Sequence, residues 1–331
     1  MKYKMTMRGK IVILALTVCF IVTGLKICRR NPDSLPVQNI PSETTSEPST
    51  LPTTSIRVTD ASTETTAPIP QLKLSGCSSA ILYCPERDDI LFSQDADKSV
   101  APASITKLLT ACTALTYLDS DICCEVGTEQ LLVQPDSSLC YLSQGQQLTV
   151  KDLITGMLMA SGNDAAYTLA VNTVRNLYPD IYMTDYQYVE KFCDLMNSFA
   201  ADIGMKNSHF CTPDGWDNND QYTTASDLVI LARYAMTVPE IRDAAGCSEQ
   251  QVTIESGENF IWHNSNKLID PQSEFYCKNA FGLKTGSTVA AGNCLISTFE
   301  VQGLTYIVIV TGCNTDSERY SITLRLINEY T

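Results

Sequence analysis

The sequence predicts an α/β chain of the α+β type, with an antiparallel sheet built from strands at both ends of the folded body and an inserted helical subdomain. Two observations carry this. Strand-like apolar runs bracket the body, at residues 72–96 and again beyond residue 279, and the stretch from 103 to about 240 has helical periodicity. No internal repeat is visible.

Residues 72–96, "LKLSGCSSAILYCPERDDILFSQDA", read as two strands around a turn at Pro85–Asp89. The helical region opens with "APASITKLLTACTAL". Pro102 suits a helix entry, where its missing N–H removes no bond. From Ser104 onward Leu108, Leu109, Ala111, Cys112, Ala114, Leu115 and Leu118 point nearly all round the helix, which marks it as buried. Thr149 and Asp152 have the capping-box spacing ahead of Leu153, Ile154, Met157 and Leu158. A further helix sets Phe192, Met196, Phe199 and Ile203 on one face and stops at Gly204. "TTASDLVILARYAM" is another, capped near Thr223 or Thr224. Strand signals then return in "NAFGLKTG", "AGNCLISTFE" and "LTYIVIVTGC", followed by a closing helix from about 316.

Two segments precede the body. Residues 1–30 place Lys2, Lys4, Arg8 and Lys10 before fifteen uncharged residues, "IVILALTVCFIVTGL". Fifteen helical residues span roughly 22 Å, short of a bilayer core unless the flanking lysines snorkel. The segment reads as a secretory signal or a short signal-anchor, and the lack of an Ala-x-Ala site favours a retained membrane anchor with its basic end in the cytoplasm. Residues 31–71 hold seven of the fourteen prolines, are dominated by Ser and Thr, and contain no aromatic residue. Such a composition buries too little apolar surface to offset its ordering entropy, so it reads as a disordered linker. Residues 72–331 remain as one folded domain.

The formal charge of −14 hides an asymmetry: the first thirty residues carry seven basic groups and no acidic one, which leaves a net of −21 beyond them. So acidic an exported body is a poor partner for nucleic acid. Twelve of the fourteen cysteines lie in the body, yet no Cys-x-x-Cys pair occurs and only His209 and His263 are present, so neither a metal nor a cofactor is expected. Export would permit disulfides, whereas an anaerobic habitat would leave the thiols free.

The chemistry-bearing residues fall in three short motifs. Ser104 and Lys107 form the only Ser-x-x-Lys, on one face at the mouth of the buried helix. Ser161-Gly162-Asn163 is the only Ser-x-Asn and follows the helix that ends near Met159; Lys284-Thr285-Gly286 opens the returning sheet. Each alone has a bland reading: a helix start with a snorkelling lysine, a helix-end turn, the end of an edge strand. In this order, on buried helix, interhelical loop and strand, they resemble the trio of class A β-lactamases and penicillin-binding proteins.

The surrounding residues narrow the reading. "SITKLLTACTAL", "LITGMLMASGNDAAYTLA", "FCDLMNSFAADIGMKNSHF", "TPDGWDNNDQYTTASDL" and "FGLKTGSTVAAGNCL" resemble the D-alanyl-D-alanine carboxypeptidases among the low-molecular-mass penicillin-binding proteins, over roughly residues 73–331. The resemblance implies a β-lactamase/penicillin-binding-protein-like transpeptidase fold. It also implies an extracytoplasmic serine peptidase that trims the terminal D-alanine from peptidoglycan stem peptides ending in D-Ala-D-Ala and is acylated by β-lactam antibiotics. Three features depart from the pattern. The chain stops where many relatives continue into a β-rich domain and amphipathic anchor; Trp216 replaces a small or aliphatic residue after "PDG"; and Ser226 stands where relatives often carry arginine.

The roles follow from chemistry. Ser104 needs an adjacent base, and Lys107 serves if burial and the positive charge of Lys284 depress its pKa. Ser161 would relay a proton to the leaving amine, and Asn163 would hold Lys107 and the substrate amide. The N–H groups of Ser104 and Ser287 would form the oxyanion hole. The strand bearing Thr285 and Gly286 would pair with an extended substrate, while Lys284 and Thr285 receive its carboxylate. Resemblance adds Arg319 to the carboxylate site. His209 and His263 read as structural, since neither neighbours a nucleophile motif. Two rivals remain: a β-lactamase, which would need a Glu-x-x-Leu-Asn-like motif that residues 164–283 lack, and a non-turnover sensor of wall peptide or penicillin.

Overall fold

The computed structural model describes residues 72–331. The expected anchor (1–30) and linker (31–71) lie outside these residues. Within them, five antiparallel strands form the central sheet: β1 (Ser79–Cys84), β2 (Asp89–Gln94), β7 (Ala280–Thr288), β8 (Gly292–Val301) and β9 (Leu304–Cys313), in the spatial order β2-β1-β9-β8-β7. The sheet is thus assembled from both ends of the body, as expected. The run "YIVIV" of β9 is continuously apolar because this strand is central and covered on both faces. α5 (Ala225–Ala235) packs against β9 and β1; the closing helix α7 (Asp316–Tyr330) packs against β8, β9 and β2.

The helical insertion is built around α1 (Thr106–Tyr117), which is entered through a single 3₁₀ turn at Ala103–Ile105. Every residue of α1 from Thr106 to Ala114 is buried, as its all-round apolar pattern requires. Its neighbours are α2 (Val150–Met159), α3 (Asn163–Leu177), α4 (Asp185–Ile203), α5 and α6 (Pro239–Gly246). The helix ends read in the sequence take their expected forms. Thr149 and Asp152 make a complete capping box, Gly204 ends α4 in the left-handed conformation at φ 101°, and Thr224 is the residue that caps α5.

The insertion is not purely helical. A short pair, β3 (Cys123–Glu125) with β4 (Gln147–Thr149), precedes α2, and a hairpin, β5 (Glu249–Thr253) with β6 (Asn259–His263), follows α6. These strands hold three to five residues, and β5 carries one apolar side chain among five, so their alternation is too brief to register in the sequence. Packing decides the hairpin: Trp262 is buried and donates its indole N–H to Cys140 O at 3.3 Å. The twelve described cysteines are free thiols, seven of them buried, and behave as small apolar side chains.

Candidate active site

Ser104 sits in the 3₁₀ turn, half-buried, where that turn meets the free edge of β7. Ala103 before it has φ 49°, a left-handed backbone that a non-glycine residue adopts only under constraint from its surroundings. Two glycines supply the constraint. A Cβ on Gly215 would lie 1.8 Å from Ala103 O, and one on Gly286 would lie 3.0 Å from Ser104 N. The loop of Gly215 and the strand of Gly286 therefore close directly upon the turn of Ser104, where a side chain in place of either glycine would crowd the backbone.

Lys107 follows one turn later and is fully buried. Its Nζ donates to Ser104 Oγ at 2.8 Å and to the main-chain carbonyl of Asp214 at 2.8 Å. Thr110, one turn further, donates to Pro213 O at 2.6 Å, so one helix face grips two consecutive carbonyls of the 213–216 loop. That loop is itself organised by Gln221, whose side chain accepts from the N–H groups of Cys211 and Thr212 and donates to Trp216 O. Burial lowers the pKa of Lys107 to about 8, against the carboxylate of Asp214, which favours the charged form. The sequence reading assigned part of this shift to Lys284. The repulsion is mutual, and burial, then Lys107 and Arg319, hold Lys284 itself well below the ordinary lysine range.

Ser161 lies in the loop between α2 and α3, 8 % exposed, with φ 59°. Asn163 is the first residue of α3 and is buried. Its expected bond to Lys107 is replaced: Asn163 Nδ2 donates to Ser137 Oγ at 2.9 Å, and the place beside Lys107 goes to Asp214 O. A main-chain carbonyl already fixed by the 213–216 loop is the more rigid acceptor.

β7 carries the third group. Lys284 Nζ is buried and makes no hydrogen bond, an unmet donor of the kind that waits for an anion. Thr285 Oγ1 shares a 2.7 Å hydrogen bond with Ser265 Oγ, while Ser265 N donates to Met159 O at 3.0 Å. Ser265 thus joins the strand of Lys284 to the helix end just before Ser161. Arg319, proposed as a carboxylate ligand, is occupied otherwise. Its Nη1 donates to Gly286 O, Ser287 Oγ and Cys294 O at 3.1, 3.1 and 3.2 Å, and its Nη2 pairs with Asp316. The guanidinium braces β7 against β8, and its charge reaches Lys284 only through space. The two histidines have local partners of their own, His209 the carbonyl of Asp220 at 2.9 Å and His263 the carboxylate of Glu249 at 3.2 Å.

The structure brings Ser104, Lys107 and the β7 strand together, and adds Asp214, Ser137 and Ser265, which no motif singled out. Asp214 lay within the quoted "TPDGW"; Ser137 and Ser265 carry no signal of their own, since contacts across 26 and 20 residues decide their roles.

The comparisons with known proteins agree with this geometry. The chain is 28 % identical over 253 residues to the D-alanyl-D-alanine carboxypeptidase DacF of Bacillus subtilis, covering 76 % of this chain and 61 % of that one. It is 30 % identical to the D-alanyl-D-alanine carboxypeptidase DacC of Escherichia coli, covering 72 % of this chain and 57 % of that one. The chain therefore spans about six-tenths of the length of these two curated relatives. The crystal structure of the Streptomyces K15 DD-transpeptidase superposes with a TM-score of 0.70 at 26 % identity, covering 78 % of this chain and 98 % of that one. A family model described as D-alanyl-D-alanine carboxypeptidase matches residues 64–315. A match of that extent, with the Ser-x-x-Lys pair in bonding contact at the edge of the sheet, places the chain in the D-alanyl-D-alanine carboxypeptidase family of serine peptidases.

Proposed function

We propose that this chain is a serine D-alanyl-D-alanine carboxypeptidase, removing the terminal D-alanine from peptidoglycan stem peptides through an acyl-enzyme that penicillin also forms. The observation that carries this reading is the 2.8 Å contact between Ser104 Oγ and a fully buried lysine whose pKa falls to about 8. Once neutral, Lys107 Nζ accepts the hydroxyl proton as Oγ attacks the penultimate carbonyl. The N–H groups of Ser104 and Ser287 hold the developing oxyanion, a role supported by the closeness of Gly286 to Ser104 N. Ser161 passes the proton to the departing D-alanine, and Asn163 orients the substrate amide. The free edge of β7 pairs with the extended peptide, while Lys284 Nζ and Thr285 Oγ1 receive its terminal carboxylate. Arg319 acts as a positioning residue for β7. Water then attacks the ester, with Lys107 again as base.

The test is the release of D-alanine from an acyl-peptide ending in D-Ala-D-Ala, run beside labelling by a fluorescent penicillin. Wild type is expected to do both, and Ser104→Ala neither, because both require one acyl-enzyme. Persistent labelling of Ser104→Ala would sink the nucleophile assignment. Stable labelling of wild type with no release of D-alanine would establish a sensor, and rapid turnover of penicillin a β-lactamase.

We further propose that residues 1–30 hold the body at the outer face of the membrane and that residues 31–71 act as its tether, a reading supported by the basic and apolar pattern of the former and the Pro/Ser/Thr composition of the latter. No helix among the described residues is long and apolar enough to cross a membrane.

A further inference from the structure

Two cysteines outside the active-site chemistry meet where the body begins and its sheet ends. Cys77 precedes β1, and Cys313 is the last residue of β9. The ladder between these strands pairs Ser79 with Thr311, and it continues past the end of β1. Ser78 N donates to Thr311 O at 2.8 Å, and Asn314 N donates to Gly76 O at 3.2 Å. Ser78 opposes Gly312, since a Cβ on that glycine would lie 2.2 Å from Ser78 Oγ. With Ser79 opposite Thr311, Ser78 opposite Gly312 and Gly76 bonded to Asn314, Cys77 stands opposite Cys313.

The face and the spacing both suit a covalent bond. Side chains alternate along a strand, so the two thiols share the face on which Ser79 Oγ and Thr311 Oγ1 meet at 2.7 Å. The bond from Asn314 N to Gly76 O flanks the pair, which marks a non-hydrogen-bonded position of the ladder. Facing Cα atoms there approach to about 4.5 Å, inside the range of about 4.4–6.8 Å that a disulfide spans. Burial first, then the neighbouring Cys77, raises the Cys313 thiol, and burial with Glu318 and Asp95 pushes Cys77 up to about 11. Cys294, on β8, is the third thiol nearby. Asn293 is the residue that opposes Cys313 on that strand, and Cys294 Sγ already bonds Ala291 O and Gly312 N at 3.5 Å each.

We propose that Cys77 and Cys313 are an oxidative cross-linking site, closed as a structural disulfide in the outward-facing protein. The inference rests on the placement proposed above, which supplies oxidising surroundings. The oxidant is itself a disulfide, carried by an oxidoreductase or a small thiol. The Cys77 thiolate attacks it and expels one thiolate, and the Cys313 thiolate then displaces the second from Cys77. The cysteines give up two protons and two electrons, and the oxidant leaves as two thiols. The bond fastens the first residues after the tether to the central strand of the sheet. It also closes a loop of nearly the whole body, which constrains the unfolded chain.

The experiment uses the full-length protein in detergent, reduced and then held with excess oxidised glutathione at pH 8.5 until its thiol count is constant. Thiols are blocked with iodoacetamide in denaturant and the peptides mapped by mass spectrometry. The expected result is a Cys77–Cys313 cross-link as the only one within residues 72–331, with a thermal midpoint about 5–10 °C above that of the reduced protein. Cys77→Ser should lose both, yet label with fluorescent penicillin at the wild-type rate at 25 °C, whereas Cys294→Ala should keep both. Separate alkylation of Cys77 and Cys313 after oxidation, a Cys294–Cys313 cross-link, or an unchanged midpoint would overturn the site. A body found on the cytoplasmic side of the membrane would overturn the placement, and with it the closed bond in cells, whatever the in vitro map shows.

Discussion

Lys107 illustrates how a single residue's environment sets its chemistry. In water its side chain would stay charged well above neutral pH, yet inside α1 it is shut off from solvent and its pKa falls to about 8. The base form is the neutral one, so acylation by penicillin should rise about tenfold per pH unit below pH 8 and level off above it. A flat profile between pH 6 and 8 would remove Lys107 as the titrating base. Lys107→Ala should still fold, because the site is lined by the apolar residues of α1, and should acylate at least about a hundredfold more slowly. Thr285 makes a second residue-level case. If Lys284 and Thr285 receive the substrate carboxylate, Thr285→Val should cost about 2–3 kcal/mol for peptides ending in free D-alanine, the net value of a charge-assisted hydrogen bond. The same peptides amidated at the C-terminus should lose much less. Equal cleavage of acid and amide by wild type would indicate an endopeptidase.

At the scale of the element, the proposed mechanism depends on how closely β7 approaches the 3₁₀ turn of Ser104. The strand comes in at Gly286, where a methyl group would meet both Ala103 Cβ and Ser104 N at 3.0 Å. Gly286→Ala must push β7 outward by a few tenths of an ångström. That shift moves Ser287 N–H away from the proposed oxyanion position while leaving the ladder with β8 intact. The expected result is at least an order-of-magnitude loss in acylation rate, since misplacing catalytic groups by less than 1 Å is costly, with an unchanged circular dichroism spectrum. Acylation at the wild-type rate would show that the approach of β7 is not what sets the oxyanion geometry. Arg319, on α7, acts at the same scale, because its three bonds to β7 and β8 keep that edge in register.

At the scale of the whole molecule, the sheet takes β1 and β2 from the start of the body and β7–β9 from its end, so the described domain closes on itself. A chain lacking residues 1–71 should therefore fold, label with penicillin and remain in the soluble fraction. The full chain should sediment with membranes and retain its basic N-terminus, which N-terminal sequencing of the membrane fraction would show. A mature protein beginning near residue 25 and freely secreted would overturn the anchor.

The sequence by itself determined the class of fold, most helix boundaries and the identity of the three motifs. Those properties are local: capping residues, periodicity and glycine stops act within a few positions, as the Thr149–Asp152 box and Gly204 show. It missed the β5–β6 hairpin, whose five-residue strands are held by the burial of Trp262 more than by their own alternation. In the structure Asn163 bonds Ser137 where the sequence led us to expect Lys107, and Arg319 bonds the strands beside it. A motif states which groups are present, whereas the choice among acceptors within reach depends on which loop arrives, and the 213–216 loop reaches Lys107 from 107 residues away. The tertiary structure alone decided that Asp214 would hold the Lys107 amine, that Arg319 would brace a strand, and that Lys284 would be left with an unmet donor, because each outcome depends on side chains competing for space and hydrogen bonds between segments far apart in the chain.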